Sequence, residues 1–255
     1  MITTTVNFLS KTLGLRSELN VLLPQRNLSA VYSGKRPRYQ TLFLLHGLSD
    51  DHTAWQRWTS LERYAENMNL AVVMPSVHRS FYSNMDRGGK YWSFISEEIP
   101  SLVRDIFPLS EDCQDNFVAG LSMGGYGAFK LALSHPDRFS AAASLSGALD
   151  VQASYRGGDA TWRAELESIF GDMKSFSGGS NDLFALARKA ANSLMKPRIY
   201  QLCGTEDFLY EDNLRFRDCI QPLGFDYLFE ENRGDHTWEY WDSMLKKTLV
   251  WIKSK

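Results

Sequence analysis

Apolar runs alternate with segments of helical periodicity along most of the chain, and this alternation predicts the architecture. The run at residues 41–45 is apolar almost throughout, as expected for a parallel strand covered on both faces. Comparable runs follow at intervals that leave room for a helix between them. The predicted strands are residues 41–45, 70–74, 116–121, 139–145, 198–203 and 225–230.

Segments of period 3.6 lie between these strands and predict helices at residues 59–69, 91–107, 123–134, 210–223 and 236–252. Before the first buried strand, residues 2–10 and 17–23 alternate between apolar and polar positions and end at Pro24. They predict an antiparallel hairpin at one edge of the sheet, followed by a polar loop around residues 33–37. The strand and helix order predicts an α/β fold with a doubly wound, mostly parallel sheet.

One segment breaks the alternation. At residues 148–196 the expected single crossover helix is replaced by about fifty residues, with glycine- and serine-rich breaks separating two helical stretches. We interpret this segment as a lid-like, cap-like insertion that covers the active site predicted below. The chain length of 255 residues is compatible with one hydrophobic core, so we expect residues 1–255 to form a single domain.

The composition argues against several classes of function. Hydrophobic residues make up 44% and charged residues 23% of the chain, and the formal net charge is -2, so there is no basic excess to attract nucleic acid. The three cysteines are widely spaced, which suits neither a disulfide framework nor a metal site. Neither a targeting segment nor a membrane span is evident, which predicts a cytoplasmic protein. A homo-oligomer is left open.

The pattern Gly120-x-Ser122-x-Gly124 lies between the predicted strand at 116–121 and the predicted helix at 123–134. A G-x-S-x-G at a strand-to-helix turn is the nucleophile elbow, in which the serine hydroxyl is held at the carboxyl edge of the sheet. The strained turn brings strand and helix close together, and glycine is needed where a Cβ would collide. A pattern this short also occurs by chance. It indicates a catalytic serine only if the sequence also offers an acid and a histidine in the right places.

Matching partners follow in the order serine, acid, histidine that α/β-hydrolases use. Asp207 comes directly after the predicted strand at 198–203, with Glu206 as the local alternative for the acid. His236 follows the last predicted strand and is the candidate base. A serine nucleophile needs both groups, because the histidine accepts the hydroxyl proton and the acid fixes the orientation of the ring. Ser122, Asp207 and His236 are therefore the predicted catalytic residues.

Each of these residues also has a structural interpretation. Ser122 could be a buried turn serine, although a structural turn does not require matched acid and histidine loops. Asp207 could cap the predicted helix at 210–223, since an aspartate before a helix satisfies free amides.

An acyl-transfer site also needs two amides for the oxyanion of the tetrahedral intermediate. The amide of Met123, directly after the nucleophile, is one candidate. The other is the amide of Leu48, because Leu48 follows a buried strand and Gly47 lets the backbone approach the substrate. Among the aromatic residues in loops after strands, Trp55 and Tyr82 are candidates for a pocket wall that would suit a sugar ring or an aryl group.

Four motifs together resemble the tributyrin esterase family, within the esterase D and S-formylglutathione hydrolase-like α/β-hydrolases. The motifs are residues 45–48 with His52 and Trp55, residues 120–127, residues 203–210 and residues 234–238. The resemblance covers nearly the whole chain and is weakest in the insertion. It implies the α/β-hydrolase fold, with Ser122, Asp207 and His236 as the triad and Leu48 and Met123 as the oxyanion donors.

The resemblance also implies hydrolysis of short-chain acyl esters and, in some relatives, of acetylated saccharides or cinnamoyl esters. The leading hypothesis is therefore a serine carboxylesterase that acts on a small-molecule ester through an acyl-enzyme on Ser122, with neither cofactor nor metal. A thioesterase of the S-formylglutathione hydrolase type is the main alternative. Acyl transfer to a sugar acceptor shares the same intermediate, and a non-catalytic binding protein on this fold is the alternative from another class.

Overall fold

The computed structural model of the protein describes residues 1–25 and 38–254, and eight of its segments are strands of one sheet. In chain order these are β1 (Ile2–Leu9), β2 (Arg16–Leu23), β3 (Gln40–Leu45), β4 (Leu70–Pro75), β5 (Asn116–Leu121), β6 (Ala141–Leu145), β7 (Arg198–Gly204) and β8 (Tyr227–Asn232). They lie side by side in the order β1-β2-β4-β3-β5-β6-β7-β8. The polar loop predicted around residues 33–37 lies outside the described residues.

The sheet is mostly parallel, as predicted. β2 is antiparallel to both of its neighbours, β1 and β4, whereas the pairs from β4 through β8 are parallel. The register of β1 and β2 runs from Ile2 opposite Leu23 to Leu9 opposite Arg16. This confirms the predicted hairpin and its position at the sheet edge.

The strand order determines where a ligand can bind. From β3 the chain crosses to β4 on one side, and it then returns to place β5 on the other side of β3. A reversal of this kind leaves a crevice at the carboxyl ends of the two central strands. In this protein, those ends are Leu45, which leads into His46 and Gly47, and Leu121, which leads into Ser122.

The main helices were largely anticipated by the hydrophobic pattern. In chain order they are α1 (Ala54–Trp58), α2 (Leu61–Ala65), α3 (Tyr91–Ser93), α4 (Ile99–Ile106), α5 (Met123–Ser134), α6 (Val151–Gly157), α7 (Ala160–Phe170), α8 (Leu183–Ala190), α9 (Tyr210–Ile220) and α10 (Trp238–Lys253). A π-helical turn at Phe94–Glu98 joins α3 to α4. Within the described residues, no helix combines the length and apolar character needed to cross a bilayer.

Both faces of the sheet are covered. Successive side chains of β5 point to opposite faces, so Phe117, Ala119 and Leu121 pack on one side and Val118 on the other. Helices α2 and α10 cover the first side, and α4, α5, α8 and α9 contribute to the core on the second. β3 through β6 are buried apart from Gln40, which explains why these strands are so apolar.

Several boundaries differ from the sequence prediction. The helix predicted at 59–69 is the shorter α2 (Leu61–Ala65), and an unpredicted helix, α1 (Ala54–Trp58), precedes it. The last strand, β8, begins two residues later than predicted and continues to Asn232. The closing helix begins at Trp238 because the Thr237 hydroxyl caps it by accepting a hydrogen bond from the Tyr240 amide, so His236 lies in the preceding loop.

The segment at residues 148–196 contains three helices, α6, α7 and α8, rather than two helical stretches. Two ion pairs help to hold it to the rest of the protein. Arg79 forms a bidentate ion pair with Glu165 on α7, with distances of 2.6 and 2.8 Å. On the other side, the Nε of Arg215 in α9 lies 2.7 Å from the carboxylate of Asp150, which caps α6.

Candidate active site

Ser122 occupies the sharp turn between β5 and α5, at φ 53° and ψ -119°. A side chain at positive φ is strained, and it persists only where the surrounding structure holds it. Here the Ser122 amide donates to the carbonyl of Leu145 on β6 at 2.9 Å. The Ser122 carbonyl accepts from the amide of Ala148 at 3.1 Å. These backbone hydrogen bonds fix the strained turn at the carboxyl edge of the sheet.

The two glycines of the motif lie where no side chain fits. A Cβ at Gly120 would be 2.4 Å from the backbone carbon and oxygen of Gly124, the second residue of α5. A Cβ at Gly124 would be 2.4 Å from the carbonyl oxygen of Leu45 on β3. Both contacts are with backbone, which cannot move aside as a side-chain tip can. The close approach of strand and helix that the motif predicts is therefore present.

The structure brings together Ser122, His236 and Asp207, although they are far apart in the sequence. The Nε2 of His236 lies 3.1 Å from the Oγ of Ser122. The Nδ1 of the same ring lies 2.9 and 3.1 Å from the two carboxylate oxygens of Asp207. An imidazole placed in this way can take the serine proton at Nε2 while its Nδ1–H remains bound to the carboxylate.

Asp207 rather than Glu206 contacts the histidine. Glu206 is exposed and pairs with the Nε of Arg233 at 3.0 Å. The Asp207 side chain is buried and also accepts a hydrogen bond from the amide of Leu209 at 2.8 Å, in the turn that leads into α9. One carboxylate therefore both stabilises this turn and holds the ring of His236.

Leu48 and Met123, the predicted oxyanion donors, lie close to Ser122. Both residues line the same cavity as Ser122, and a Cβ at Gly47 would be 3.8 Å from the Ser122 Cβ. Within residues 1–25 and 38–254, neither amide donates a hydrogen bond to another residue. Two unpaired N–H groups next to a serine hydroxyl can bind an oxyanion.

The cavity at Ser122 has a volume of about 210 Å³ and is almost entirely apolar. It is lined by Leu48, Phe81, Ser122, Met123, Ala148, Val151, Ser154, Trp162, Leu166, Phe208 and Leu209. Four of these residues, Val151, Ser154, Trp162 and Leu166, belong to α6 and α7. The indole Nε1 of Trp162 donates to the Ser154 hydroxyl at 2.9 Å, which joins the two helices within the cavity wall.

Phe208 lies at the mouth of this cavity. Its side chain is 74% exposed, which is unusual for a phenylalanine, and its ring centroid is 4.6 Å from that of His236. On the inner side of the imidazole, Trp241 makes an edge-to-face contact at 4.8 Å. The histidine ring therefore lies between a buried and an exposed aromatic side chain.

Trp55 and Tyr82, the two predicted wall residues, lie elsewhere. Trp55 is 1% exposed and its indole donates to the carbonyl of Leu45 at 3.0 Å, while Tyr82 is fully buried and its hydroxyl donates to the carbonyl of His46 at 2.9 Å. Neither lines the cavity that contains Ser122. Both polar tips are used to satisfy backbone carbonyls at the end of β3, so these rings support the site from within.

Besides Leu48 and Met123, which were predicted as oxyanion donors, the residues that form the wall were not chosen as wall candidates from the sequence. Phe81 directly precedes Tyr82, and Phe208 directly follows Asp207. Their position next to predicted site residues could therefore have identified them as wall candidates. Trp162 and Leu166 carried no such signal, because they lie in the insertion, whose packing depends on contacts with distant segments. One such contact is the pair of backbone hydrogen bonds from Asp86 and Arg87 to the end of α7.

A sheet of this topology, with a serine, a histidine and an aspartate at its carboxyl edge, defines an α/β-hydrolase of the serine hydrolase class. Residues 10–252 match the protein family described as "Putative esterase", and the chain belongs to that family. The protein is a serine carboxylic ester hydrolase. This confirms the predicted membership of the esterase D and S-formylglutathione hydrolase-like group.

Three similar proteins illustrate the relationship. An acetyl esterase from Caldicellulosiruptor saccharolyticus is 29% identical over an alignment of 257 positions, which covers 97% of this chain and 96% of the relative. The substrate-bound structure of FphF, a fluorophosphonate-binding serine hydrolase from Staphylococcus aureus, has a TM-score of 0.92 at 38% identity, covering 100% and 99% of the two chains. The S-formylglutathione hydrolase FrmB from S. aureus has a TM-score of 0.88 at 38% identity, covering 99% of each chain.

Proposed function

We propose that the protein hydrolyses short-chain acyl esters, with Ser122 as the nucleophile, His236 as the base and Asp207 as the residue that orients the base. The observation that carries this proposal is the arrangement of His236, whose Nε2 is 3.1 Å from the Ser122 Oγ while its Nδ1 contacts Asp207. Each ring nitrogen has one partner, and this arrangement keeps the Nε2 lone pair directed at the serine proton.

In the proposed reaction, the Ser122 oxygen attacks the ester carbonyl carbon while His236 accepts the hydroxyl proton. The resulting oxyanion is bound by the amides of Leu48 and Met123. When the intermediate collapses, the bond to the alcohol oxygen breaks and His236 returns the proton to the leaving alcohol. Water, deprotonated by His236, then attacks the acyl-enzyme and releases the acid and free Ser122.

The cavity supports a small, apolar acyl group. A volume of about 210 Å³ is several times the ~30 Å³ that a water molecule occupies in the liquid, which gives room for an acyl chain of a few carbon atoms. The side chains of Leu48, Val151 and Leu166 offer no charge to pair with a polar acyl group. In this proposal α6 and α7, which belong to the insertion, enclose the acyl side of the site.

The alcohol side of the site is open. Phe208 is the exposed aromatic side chain nearest to His236, so a leaving group next to the general acid would lie against its ring. This arrangement suits alcohols of varied size, including a sugar or an aryl alcohol. The acetyl esterase relative is consistent with acetylated alcohols as substrates.

A thioesterase of the S-formylglutathione type is the second candidate, because one similar structure is named as such. The size of the cavity favours the ester proposal. A formyl group is about as large as one water molecule and would leave most of the cavity empty, which forfeits the contacts that bind an acyl chain.

The nucleophile is tested by Ser122→Ala, with Ser146→Ala as a matched control. Ser146 is a buried serine at the end of the neighbouring strand β6 and also has positive φ, at 49°. We expect Ser122→Ala to lower kcat by roughly 10⁶ and to abolish labelling by a fluorophosphonate probe. Ser146→Ala should retain both, and residual labelling of Ser122→Ala at another serine would overturn the assignment.

The acyl preference is tested by kcat/KM for p-nitrophenyl esters from acetate to decanoate, with S-formylglutathione measured alongside. Short acyl esters should be the best substrates, with a decline once the chain exceeds the cavity. A higher kcat/KM for S-formylglutathione than for any ester in the series would support the thioesterase alternative instead.

A further inference from the structure

The peptide unit between Gly47 and Leu48 carries one of the two proposed oxyanion donors. Its carbonyl and its amide point in opposite directions, because the peptide is planar and trans. Whatever fixes the Gly47 carbonyl therefore also fixes the direction of the Leu48 N–H. The direction of this amide matters, because an oxyanion donor is effective only when it is aimed at the developing charge.

The ring of His46 holds this peptide. Its Nδ1 lies 2.7 Å from the Gly47 carbonyl oxygen, and its Nε2 lies 3.0 Å from the amide nitrogen of Val77. Since a backbone amide can only donate, Nε2 must be the acceptor and Nδ1 must carry the proton that is donated to Gly47. Burial lowers the pKa of His46 to about 4, so the ring remains neutral near pH 7.

Tyr82 holds the backbone one residue earlier. Its hydroxyl donates to the carbonyl of His46 at 2.9 Å, and burial holds its pKa well above the usual value, so the donor proton stays in place. Both Phe81 and Tyr82 have φ near 49°, which is a strained conformation for bulky residues. The tyrosine ring is also packed where a Cβ at Gly127 on α5 would lie.

A buried lysine secures Tyr82 in turn. Lys130 lies on α5, and its Nζ donates to the Tyr82 carbonyl at 3.2 Å, to the Ser83 hydroxyl at 2.7 Å and to the Asn181 side chain at 2.6 Å. Burial lowers the pKa of Lys130, but its three neighbours all act as acceptors, because the Ser83 proton is donated to the Phe81 carbonyl. An ammonium group with three donors satisfies all of them.

We propose that His46 and Tyr82 are positioning residues that orient the Leu48 amide toward the oxyanion, through the Gly47 and His46 carbonyls respectively. The hydrogen bonds continue from Lys130 on the nucleophile helix through Tyr82 and the His46 backbone to the Gly47–Leu48 peptide. The two oxyanion donors, Met123 at the start of α5 and Leu48 after β3, are thereby held in fixed relation to one another. The inference rests on the proposed function.

The most selective test is Tyr82→Phe, which removes one hydroxyl and keeps the ring that packs against Gly127. We expect kcat for a p-nitrophenyl ester to fall about tenfold to a hundredfold with little change in KM, because only transition-state binding is weakened. Tyr200→Phe is the matched control. It removes another buried tyrosine hydroxyl, bonded to Glu230 on β8, outside the loop that carries Leu48.

A second measurement separates positioning from general destabilisation. A trifluoromethyl ketone with a short alkyl chain forms a tetrahedral adduct with Ser122, whereas the matching methyl ketone binds largely as the planar carbonyl. In Tyr82→Phe the Ki of the trifluoromethyl ketone should rise about tenfold and that of the methyl ketone should stay nearly constant. Equal changes in both Ki values, or no change in either, would overturn the inference.

His46 is tested by comparing His46→Leu with His46→Asn. The asparagine amide can take the place of Nδ1–H as a donor to the Gly47 carbonyl, whereas leucine cannot donate. We expect His46→Asn to retain several times more kcat than His46→Leu at similar KM. Equal loss in both variants would contradict the role assigned to Nδ1.

Labelling of Ser122 by a fluorophosphonate distinguishes the two proposals. If Tyr82→Phe is labelled normally and its trifluoromethyl ketone affinity is unchanged, the positioning inference fails and the proposed function stands. If Ser122→Ala keeps its esterase activity, the proposed function itself fails.

Discussion

Gly124 and Leu45 are in contact through backbone alone: a Cβ on Gly124 would lie 2.4 Å from the Leu45 carbonyl oxygen and 2.7 Å from its carbonyl carbon. This contact sets the distance between α5 and the strand that leads to Leu48, the other proposed oxyanion donor. It therefore links the packing of the fold directly to the geometry of the site.

Gly124→Ala should force α5 away from β3, since neither backbone segment can rotate out of the way. We expect the free energy of unfolding to fall by about 3 kcal/mol or more, together with a large loss of kcat. Gly157→Ala on α6 is the control, because a Cβ there meets nothing within 4 Å and alanine favours the helix. Urea unfolding of both variants measures the difference, and equal stability would contradict the contact.

Asp207→Asn keeps the shape of the side chain and removes its charge. Because a neutral amide at this position would not stabilise the imidazolium and could bind the wrong tautomer of His236, kcat should fall by about 10⁴ with the fold intact. Glu206→Gln is the matched control, since this exposed neighbour pairs with Arg233 and should leave kcat unchanged. The reverse result, with Glu206→Gln inactive, would assign the acid to Glu206.

Leu166→Ala enlarges the acyl cavity from the α7 side. The ratio of kcat/KM for hexanoate to that for acetate should rise about tenfold, because one or two extra methylenes gain apolar contact. Leu186→Ala on α8 controls for the loss of stability, of about 2–5 kcal/mol, that both substitutions cause. Leu186 does not line the cavity at Ser122, so a similar shift in acyl preference there would argue against the assigned wall.

Phe208→Ala should change substrate binding without affecting stability, because this ring is mostly exposed. For an aryl ester, KM should rise about three- to tenfold through loss of the aromatic contact, whereas the methyl ester of the same acid should be unaffected. Steady-state measurement of KM for this pair of esters, in the wild-type protein and in Phe208→Ala, tests this prediction. A uniform change in both would mean that the ring does not contact the leaving group.

His46 should make the protein less stable in mild acid. Burial is the main cause of its lowered pKa. The hydrogen bond to Gly47 and the nearby carboxylate of Asp51 raise this pKa, and His78 and His52 lower it further. Because the folded pKa of about 4 lies below the unfolded value of 6.5, the unfolded chain binds the proton first. The stabilisation is thus complete above pH 6.5 and is lost as the pH falls toward 4.

The full effect is on the order of 3 kcal/mol. Thermal unfolding of the wild-type protein and of His46→Asn at pH 7 and pH 5 checks it. The fall in Tm between these two pH values should be smaller in His46→Asn, whereas Tyr200→Phe should retain the wild-type fall. An identical fall in His46→Asn would show that His46 does not titrate in this range.

The sequence predicted the sheet and the meeting of Ser122, Asp207 and His236 for a single physical reason. Parallel strands place their carboxyl ends at one edge, so loops that follow them converge however far apart they are in the chain. Local signals sufficed for this, because buried strands are apolar and turns need glycine. The boundary at Trp238 was missed because the cap at Thr237 is a weaker signal than the histidine beside it.

The cavity wall needed long-range information. Trp55 follows β3 and Tyr82 follows β4, as wall residues often do, but backbone carbonyls at the end of β3 accept their hydrogen bonds and draw them inward. Trp162 and Leu166 reach the site only because α7 is held by Arg79 and by backbone hydrogen bonds from residues 86 and 87. Neither effect produces a hydrophobic periodicity from which it could be predicted.

The insertion leaves the sheet after β6 and returns at β7, and these two strands are neighbours. Val151, Trp162 and Leu166 thus belong to one continuous stretch that connects the carboxyl end of β6 to the amino end of β7, while Ser122, Asp207 and His236 lie outside it. The stretch could therefore be exchanged as a single unit. Replacing it with the corresponding segment of another esterase should change the acyl selectivity in a single step and leave the proposed catalytic residues in their original loops.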